Sequence, residues 1–271
     1  MMKEIKRDNA NISYQVKGNG DITLLFVHGS YIDQSYWKSQ AAFFSRDYKV
    51  VTVDLPGHGQ SGDERKHWSV RGFDEDVIAL MKELNLHKVI LIGHSMGAGV
   101  NLMAATSYPK PVAGFIGIEN FKNAGTPLPE PYQHQAADIA GKLATDFRNA
   151  NEQYARMALL TERTPPAIAK RVVEAYRNAN QPMGIAITPE IFDMFQTEKE
   201  LLPQLKFKLY LINVDYMPTN EDALKQYAGS GYELLHMKGT CHYPMLENPG
   251  QLNQLLEQVI QKISANMLHE A

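Results

Sequence analysis

The sequence predicts an α/β protein built on a mostly parallel sheet, and three features carry that expectation. Short apolar runs recur through the first 118 residues and end at Gly, Pro or a polar residue. Helical patterns lie between them. The same rhythm resumes near residue 207, after a long helix-biased interruption.

Asn11 to Gly18 alternates Ile12, Tyr14 and Val16, the pattern of an antiparallel edge strand with one buried face. Leu24 to Val27, Val50 to Val53, Val89 to Ile92 and Val112 to Ile118 are continuous apolar runs, as strands buried on both faces require. Phe73, Val77, Leu80, Met81 and Leu84 share one face of a helix. Strand–helix alternation of this kind implies right-handed crossovers with helices on both faces of the sheet. Pro127, Pro129 and Pro131 then break the chain. Tyr132 to Ala150, Glu152 to Thr161, Pro166 to Asn178 and Pro189 to Leu202 read as helices. Phe207 to Ile212 and Tyr232 to Met237 are the last strands, with helices near Asn220 to Tyr227 and from Pro249 onward. The expected organisation is one core, residues 1–120 with 207–271, interrupted by a helical insertion at 121–206.

Composition narrows the function. The 271 residues include 27 Lys plus Arg against 30 Asp plus Glu, a net charge of −3. That balance offers no basic surface to nucleic acid and no attraction to an anionic membrane. No stretch approaches the ~18 apolar residues of a membrane span, and charged residues at the N-terminus leave no secretory signal or anchor. Cys241 is the single cysteine, so the fold needs no disulfide, and a cytoplasmic location is expected. No pair of the nine histidines has metal-ligand spacing, so no metal is expected. Gly57-His58-Gly59-Gln60-Ser61-Gly62 mimics a dinucleotide fingerprint, but Asp63 to Trp68 lacks the helical pattern that must follow it. No cofactor is expected.

The chemistry is written in Gly93-His94-Ser95-Met96-Gly97, a G-x-S-x-G pentapeptide between a strand and a helix. There a serine sits on a tight turn with its hydroxyl projecting, and small residues two before and two after it let strand and helix approach. A serine hydroxyl needs a base to become a nucleophile. His242, in a loop bounded by Gly239 and Pro244 after the last strand, is the candidate. The imidazole in turn needs a carboxylate to fix its tautomer. Asp215, after the strand ending at Ile212, and Glu119, at the end of the preceding core strand, are carboxylates placed at strand ends.

With these motifs the chain resembles the α/β-hydrolases, and the resemblance runs over nearly its whole length. His28-Gly29-Ser30 is similar to the family's loop after the third strand, and Asp54 to Ser61 to its D-x-x-G-x-G-x-S turn. Gly239 to Pro249 is similar to its catalytic-histidine loop. The resemblance implies the order Ser95, acid, His242, with Asp215 as the expected acid and Glu119 as the alternative, and an oxyanion hole made by the backbone N–H groups of Met96 and Ser30, with Tyr31 close enough to replace Ser30. It implies that 121–206 is a helical lid over the serine. The acid loop departs from the family pattern: Asn213-Val214-Asp215 leads to Pro218, about one residue short.

The expected function is a serine hydrolase of carboxylic esters with small to medium uncharged acyl groups, working through an acyl-enzyme. The partner is a small-molecule ester. A C–C bond hydrolase, thioesterase, lactonase or perhydrolase would keep the same residues, and a hydrolase-like small-ligand receptor is the rival from another class. His94, beside the serine, is expected to pack, and His28 and His58 to stabilise turns. Cys241 is expected to be a packed thiol.

Overall fold

The computed structural model describes residues 1–269, arranged around one eight-stranded sheet. The strands are β1 (Met2–Arg7), β2 (Ala10–Lys17), β3 (Thr23–Val27), β4 (Lys49–Val53), β5 (Val89–His94), β6 (Val112–Ile118), β7 (Leu209–Val214) and β8 (Tyr232–Met237). Their order across the sheet is β1-β2-β4-β3-β5-β6-β7-β8. β1 and β2 form an antiparallel edge hairpin, β2 joins β4 antiparallel, and every pairing from β4 to β8 is parallel. β3, β5 and β7 are buried along their whole length, as the apolar runs at residues 24–27, 89–92 and 209–212 within them require.

Helix α1 (Lys38–Phe44) follows β3, α2 (Val70–Glu83) follows β4, and α3 (Met96–Ser107) follows β5. Between β6 and β7 the chain is helical: α4 (Glu130–Tyr154), a π-helical turn at Ala155–Leu159, then α5 (Pro166–Arg177), α6 (Gln181–Phe192) and α7 (Met194–Leu201). α8 (Glu221–Tyr227), α9 (Pro244–Glu247) and α10 (Pro249–His269) complete the chain. No helix among the described residues is long and apolar enough to cross a membrane.

The crossovers decide which face each helix takes. The step from β3 to β4 runs one way across the sheet, whereas β4 to β5 runs back past β3. Right-handed connections therefore place α1 on one face and α2 with α3 on the other. The contacts agree, since α2 packs on α3 and α1 packs on α10. The strand order reverses at β3, so the carboxyl ends of β3 and β5 flank a switch point, where open α/β sheets leave a crevice.

Three local expectations are corrected. β1 was not anticipated, because its residues are charged and largely exposed, as an edge strand's are. α1 was not anticipated either. Pro189 was expected to open a helix but lies inside α6. That helix starts at Gln181 instead, where the Asn180 side chain accepts the Met183 N–H at 2.9 Å and Pro182 occupies the first turn.

Glycines set how closely α3 approaches the sheet. A Cβ on Gly93 would lie 2.5 Å from the Ala98 backbone, and one on Gly97 would lie 2.5 Å from the Val27 and His28 carbonyl oxygens. Both contacts are with backbone, which cannot rotate aside. Gly93→Ala is therefore expected to lower unfolding stability by ~1–3 kcal/mol in urea titration, the usual cost of overpacking. An unchanged midpoint would contradict the close approach.

Candidate active site

β5 delivers Ser95 into the turn before α3 with φ 51° and ψ −125°. A non-glycine residue held there carries ~1–3 kcal/mol of strain, which the surroundings must fix. The Ser95 N–H donates to Ile118 O at 3.0 Å, its carbonyl accepts the Ala98 N–H at 2.9 Å, and Asn120 Nδ2 also donates to that carbonyl. The backbone is thus held from β6 and α3 together, while the hydroxyl borders a cavity of about 310 Å³.

His242 borders the same cavity. Its loop is held at both ends of the residue: the N–H donates to Leu159 O at 3.1 Å, and the carbonyl accepts His94 Nε2–H at 2.8 Å. The ring lies with Nδ1 3.1 Å from Glu119 Oε2 and 3.2 Å from the Tyr216 hydroxyl. A proton on Nδ1 satisfies the carboxylate and leaves Nε2 as the basic nitrogen. Nε2 has no hydrogen-bond partner among the described residues. Ser95 and His242 are brought to one cavity, and catalytic hydrogen bonds of this type tighten when substrate arrives.

The carboxylate on His242 is Glu119, which corrects the expectation for Asp215. Glu119 follows β6 with φ 54°, and this left-handed turn sends its side chain inward rather than along the strand. Oε1 accepts the Val214 N–H and Lys122 Nζ, the latter at 3.0 Å. Desolvation pushes the Glu119 pKa up, but the His242 hydrogen bond and charge, the Lys122 ammonium and the Val214 N–H outweigh it and hold it below the ordinary value. Asp215 is exposed, and its carboxylate accepts the Gly239 N–H at 3.1 Å. The reason is register. The Asp215 N–H donates to Met237 O, extending the β7–β8 ladder by one residue, so the short loop never turns this side chain toward His242.

The loop after β3 closes the other side. A Cβ on Gly29 would lie 3.1 Å from Ser95 Cβ, so this backbone abuts the serine. Neither the Ser30 nor the Met96 N–H is taken up by a turn or loop hydrogen bond among the described residues. Tyr31 has φ 65°, and its hydroxyl bonds Thr188 Oγ1 at 2.5 Å, tying this loop to α6.

Burial keeps His28, His58 and His94, around the site, neutral. His28 Nδ1 bonds Gly29 O at 2.7 Å and Nε2 accepts the Leu55 N–H at 3.0 Å, while burial lowers its pKa to about 4. His58 is lowered to about 3, also by burial. His94 is lowered by burial and then by neighbouring His242. His94 does more than pack, since it carries the His242 carbonyl. Burial raises the Cys241 thiol to about 12, so it holds its proton at neutral pH.

Lys122, Tyr216 and Glu198 were missed by sequence reasoning. Lys122 lies three residues after Glu119 and donates also to the carbonyls of Val214 and Met217 at 3.2 and 3.1 Å. It sits 4.4 Å from the Tyr216 ring centre. No motif marks these residues; only the choice of Glu119 as acid would have pointed to a nearby cation. Among the described residues no cluster of His, Cys, Asp and Glu could hold a metal ion.

An α/β sheet with a strained serine after β5, sharing a cavity with a histidine that is bonded to a buried carboxylate, has the arrangement of a hydrolase site. The chain matches the alpha/beta hydrolase family over residues 24–255 and belongs to it. It is 25% identical to a strigolactone esterase of Pisum sativum over 250 residues, covering 89% of this chain and 90% of that one. Two further matches are local. The chain spans 27% of a dihydrolipoyllysine-residue acetyltransferase component of the acetoin cleaving system of Pseudomonas putida at 34% identity. It spans 37% of a karrikin insensitive 2 receptor of Petunia hybrida at 32% identity. Among solved structures, an esterase from Thermogutta terrifontis superposes with TM-score 0.81 at 19% identity, over 97% of this chain and 99% of that one. An enol-lactonase from Burkholderia xenovorans LB400 superposes with TM-score 0.79 at 16% identity, over 96% and 100%.

One further carboxyl borders the cavity. Glu198 on α7 is buried, and burial raises its pKa to about 7 against the stabilising Gly125 N–H. Unfolded, the group ionises near 4.5; folded, it keeps its proton to about 7. The folded state therefore keeps this proton between these values, and the contribution of Glu198 to stability falls as pH rises through that window, by on the order of 3 kcal/mol in total. Glu119 acts oppositely: its contribution is present above the ordinary carboxylate pKa and is lost as pH falls through its lower folded value. Urea midpoints at pH 5 and pH 7.5 check this. The buried histidines, with lowered pKa values, contribute a rising slope common to both proteins, so Glu198→Gln should gain stability relative to wild type as pH rises from 5 to 7.5, and an equal slope in variant and wild type would contradict it.

Proposed function

We propose that the protein is a serine hydrolase of carboxylic esters with small to medium uncharged acyl groups. The observation that carries this reading is the His242–Glu119 pair opening on the same cavity as the strained Ser95. His242 Nε2 takes the hydroxyl proton as Ser95 Oγ bonds to the acyl carbon. The carbonyl oxygen becomes an oxyanion, held by the Met96 and Ser30 N–H groups, donors of a kind worth ~3–4 kcal/mol each in the transition state. The intermediate collapses, the C–O bond to the alcohol breaks, and the alcohol leaves with the proton from Nε2. Water then gives a proton to His242 and its oxygen to the acyl carbon, releasing the acid and restoring Ser95. Glu119 stays ionised throughout, keeping the proton on Nδ1 and stabilising the imidazolium. The helices of 121–206 act as a lid: Tyr154, Leu159, Ile191, Phe192 and Phe195 line the cavity and favour an apolar acyl group.

A second reading, a small-ligand receptor that turns its ligand over slowly, draws on the local similarity to a protein named as a karrikin insensitive receptor. Rate separates the two.

A fluorophosphonate probe and a series of p-nitrophenyl esters test the proposal. The probe should label Ser95 and no residue in Ser95→Ala, and the esters should show steady turnover lost in that variant. Glu119→Gln should lower kcat by ~10²–10⁴, whereas Asp215→Ala should keep it within a few-fold. Turnover slower than once per hour would favour the receptor. Loss of activity in Asp215→Ala with Glu119→Gln intact would overturn the assignment of the acid.

A further inference from the structure

Glu198 is 7% exposed, and its surroundings offer its carboxyl no cationic partner. Oε2 accepts the Gly125 N–H at 3.0 Å, and this is its one hydrogen bond among the described residues. No Lys, Arg or His of the described residues reaches it as an ion pair. Buried glutamates are ordinarily paired, because an isolated carboxylate is costly to bury. Lys122, the cation in the same cavity wall, is already engaged by Glu119, two carbonyl groups and the Tyr216 ring. The carboxyl therefore faces a cavity without a protein partner.

The rest of that cavity suits one kind of partner. Phe121, Tyr132, Tyr154, Phe192 and Phe195 lie in its wall, and aromatic faces attract ammonium groups. Met194, one turn before Glu198, packs on Gly99 of α3, the helix that begins beside Ser95. The carboxyl and the serine hydroxyl thus open on one space from two walls. Resting on the ester-hydrolase reading, in which the acyl group is uncharged, the cation belongs to the alcohol portion. We propose that the cavity selects esters of amino alcohols, with Glu198 as counter-charge to a protonated or quaternary amine held among the aromatic side chains.

The isosteric pair butyrylcholine and 3,3-dimethylbutyl butyrate tests this, since the two differ by N⁺ against carbon. Wild-type kcat/KM should favour the cationic ester by about tenfold or more, mostly through KM. Glu198→Gln keeps an oxygen for the Gly125 N–H and should bring the ratio close to one. Calorimetric binding of both esters to Ser95→Ala gives the same comparison without turnover, with the preference lost in Ser95→Ala combined with Glu198→Gln. A wild-type ratio at or below one, or a ratio unchanged by Glu198→Gln, overturns the proposal. Absence of turnover with cation-selective binding would instead overturn the hydrolase reading alone.

Discussion

The structure around the site depends on one buried carboxylate. Glu119 stands at the end of β6 and is bonded at once to the end of β7 through the Val214 N–H, to Lys122 and to His242. A carboxylate this deeply buried is tolerable only when its oxygens are satisfied, so the three partners and the carboxylate fix one another. Removing one member of such a buried pair typically costs ~3–5 kcal/mol, because the other charge is left uncompensated. The exposed Asp215 could supply no comparable constraint. Its interaction with a histidine would be screened by water, and among the described residues its carboxylate accepts the Gly239 backbone N–H instead.

Topology brings the other groups to this carboxylate. β3 and β5 are neighbours at the strand-order reversal, and their carboxyl ends carry Gly29 and Ser95 into contact. Neutral histidines brace the assembly. His28 joins the loops after β3 and β4, and His94 carries the carbonyl of His242. Their burial keeps both uncharged, so His242 is the imidazole that opens on the cavity. The helices between β6 and β7 contribute to the same frame, since Leu159 accepts the His242 N–H and Thr188 bonds Tyr31. Movement of these helices would thus be felt on both sides of Ser95.

The sheet core was legible because burial on both faces forces unbroken apolar runs, and β3, β5, β6 and β7 all appear as such runs. The placement of Ser95 and His242 on one cavity was legible because the strained turn and the Gly/Pro-bounded loop impose residue types. The acid was not. Asp215 and Glu119 both follow apolar strands, and the outcome turns on a single left-handed residue and on one extra rung of the β7–β8 ladder. Neither leaves a mark on composition or periodicity. β1 was missed because a solvated edge strand has no apolar run to read. Pro189 misled because proline suits the first turn of a helix, yet here it is accommodated in an interior. Glu198 was hidden for another reason: on a helix read alone, a glutamate beside Lys199 and Glu200 looks like a solvated face.

The most direct test of the central claim, that Glu119 orients His242, is proton NMR of the imidazole. A downfield Nδ1–H resonance of His242 should be present in the wild type and in Asp215→Ala, and should be absent or strongly shifted in Glu119→Gln. Persistence in Glu119→Gln together with loss in Asp215→Ala would contradict the account.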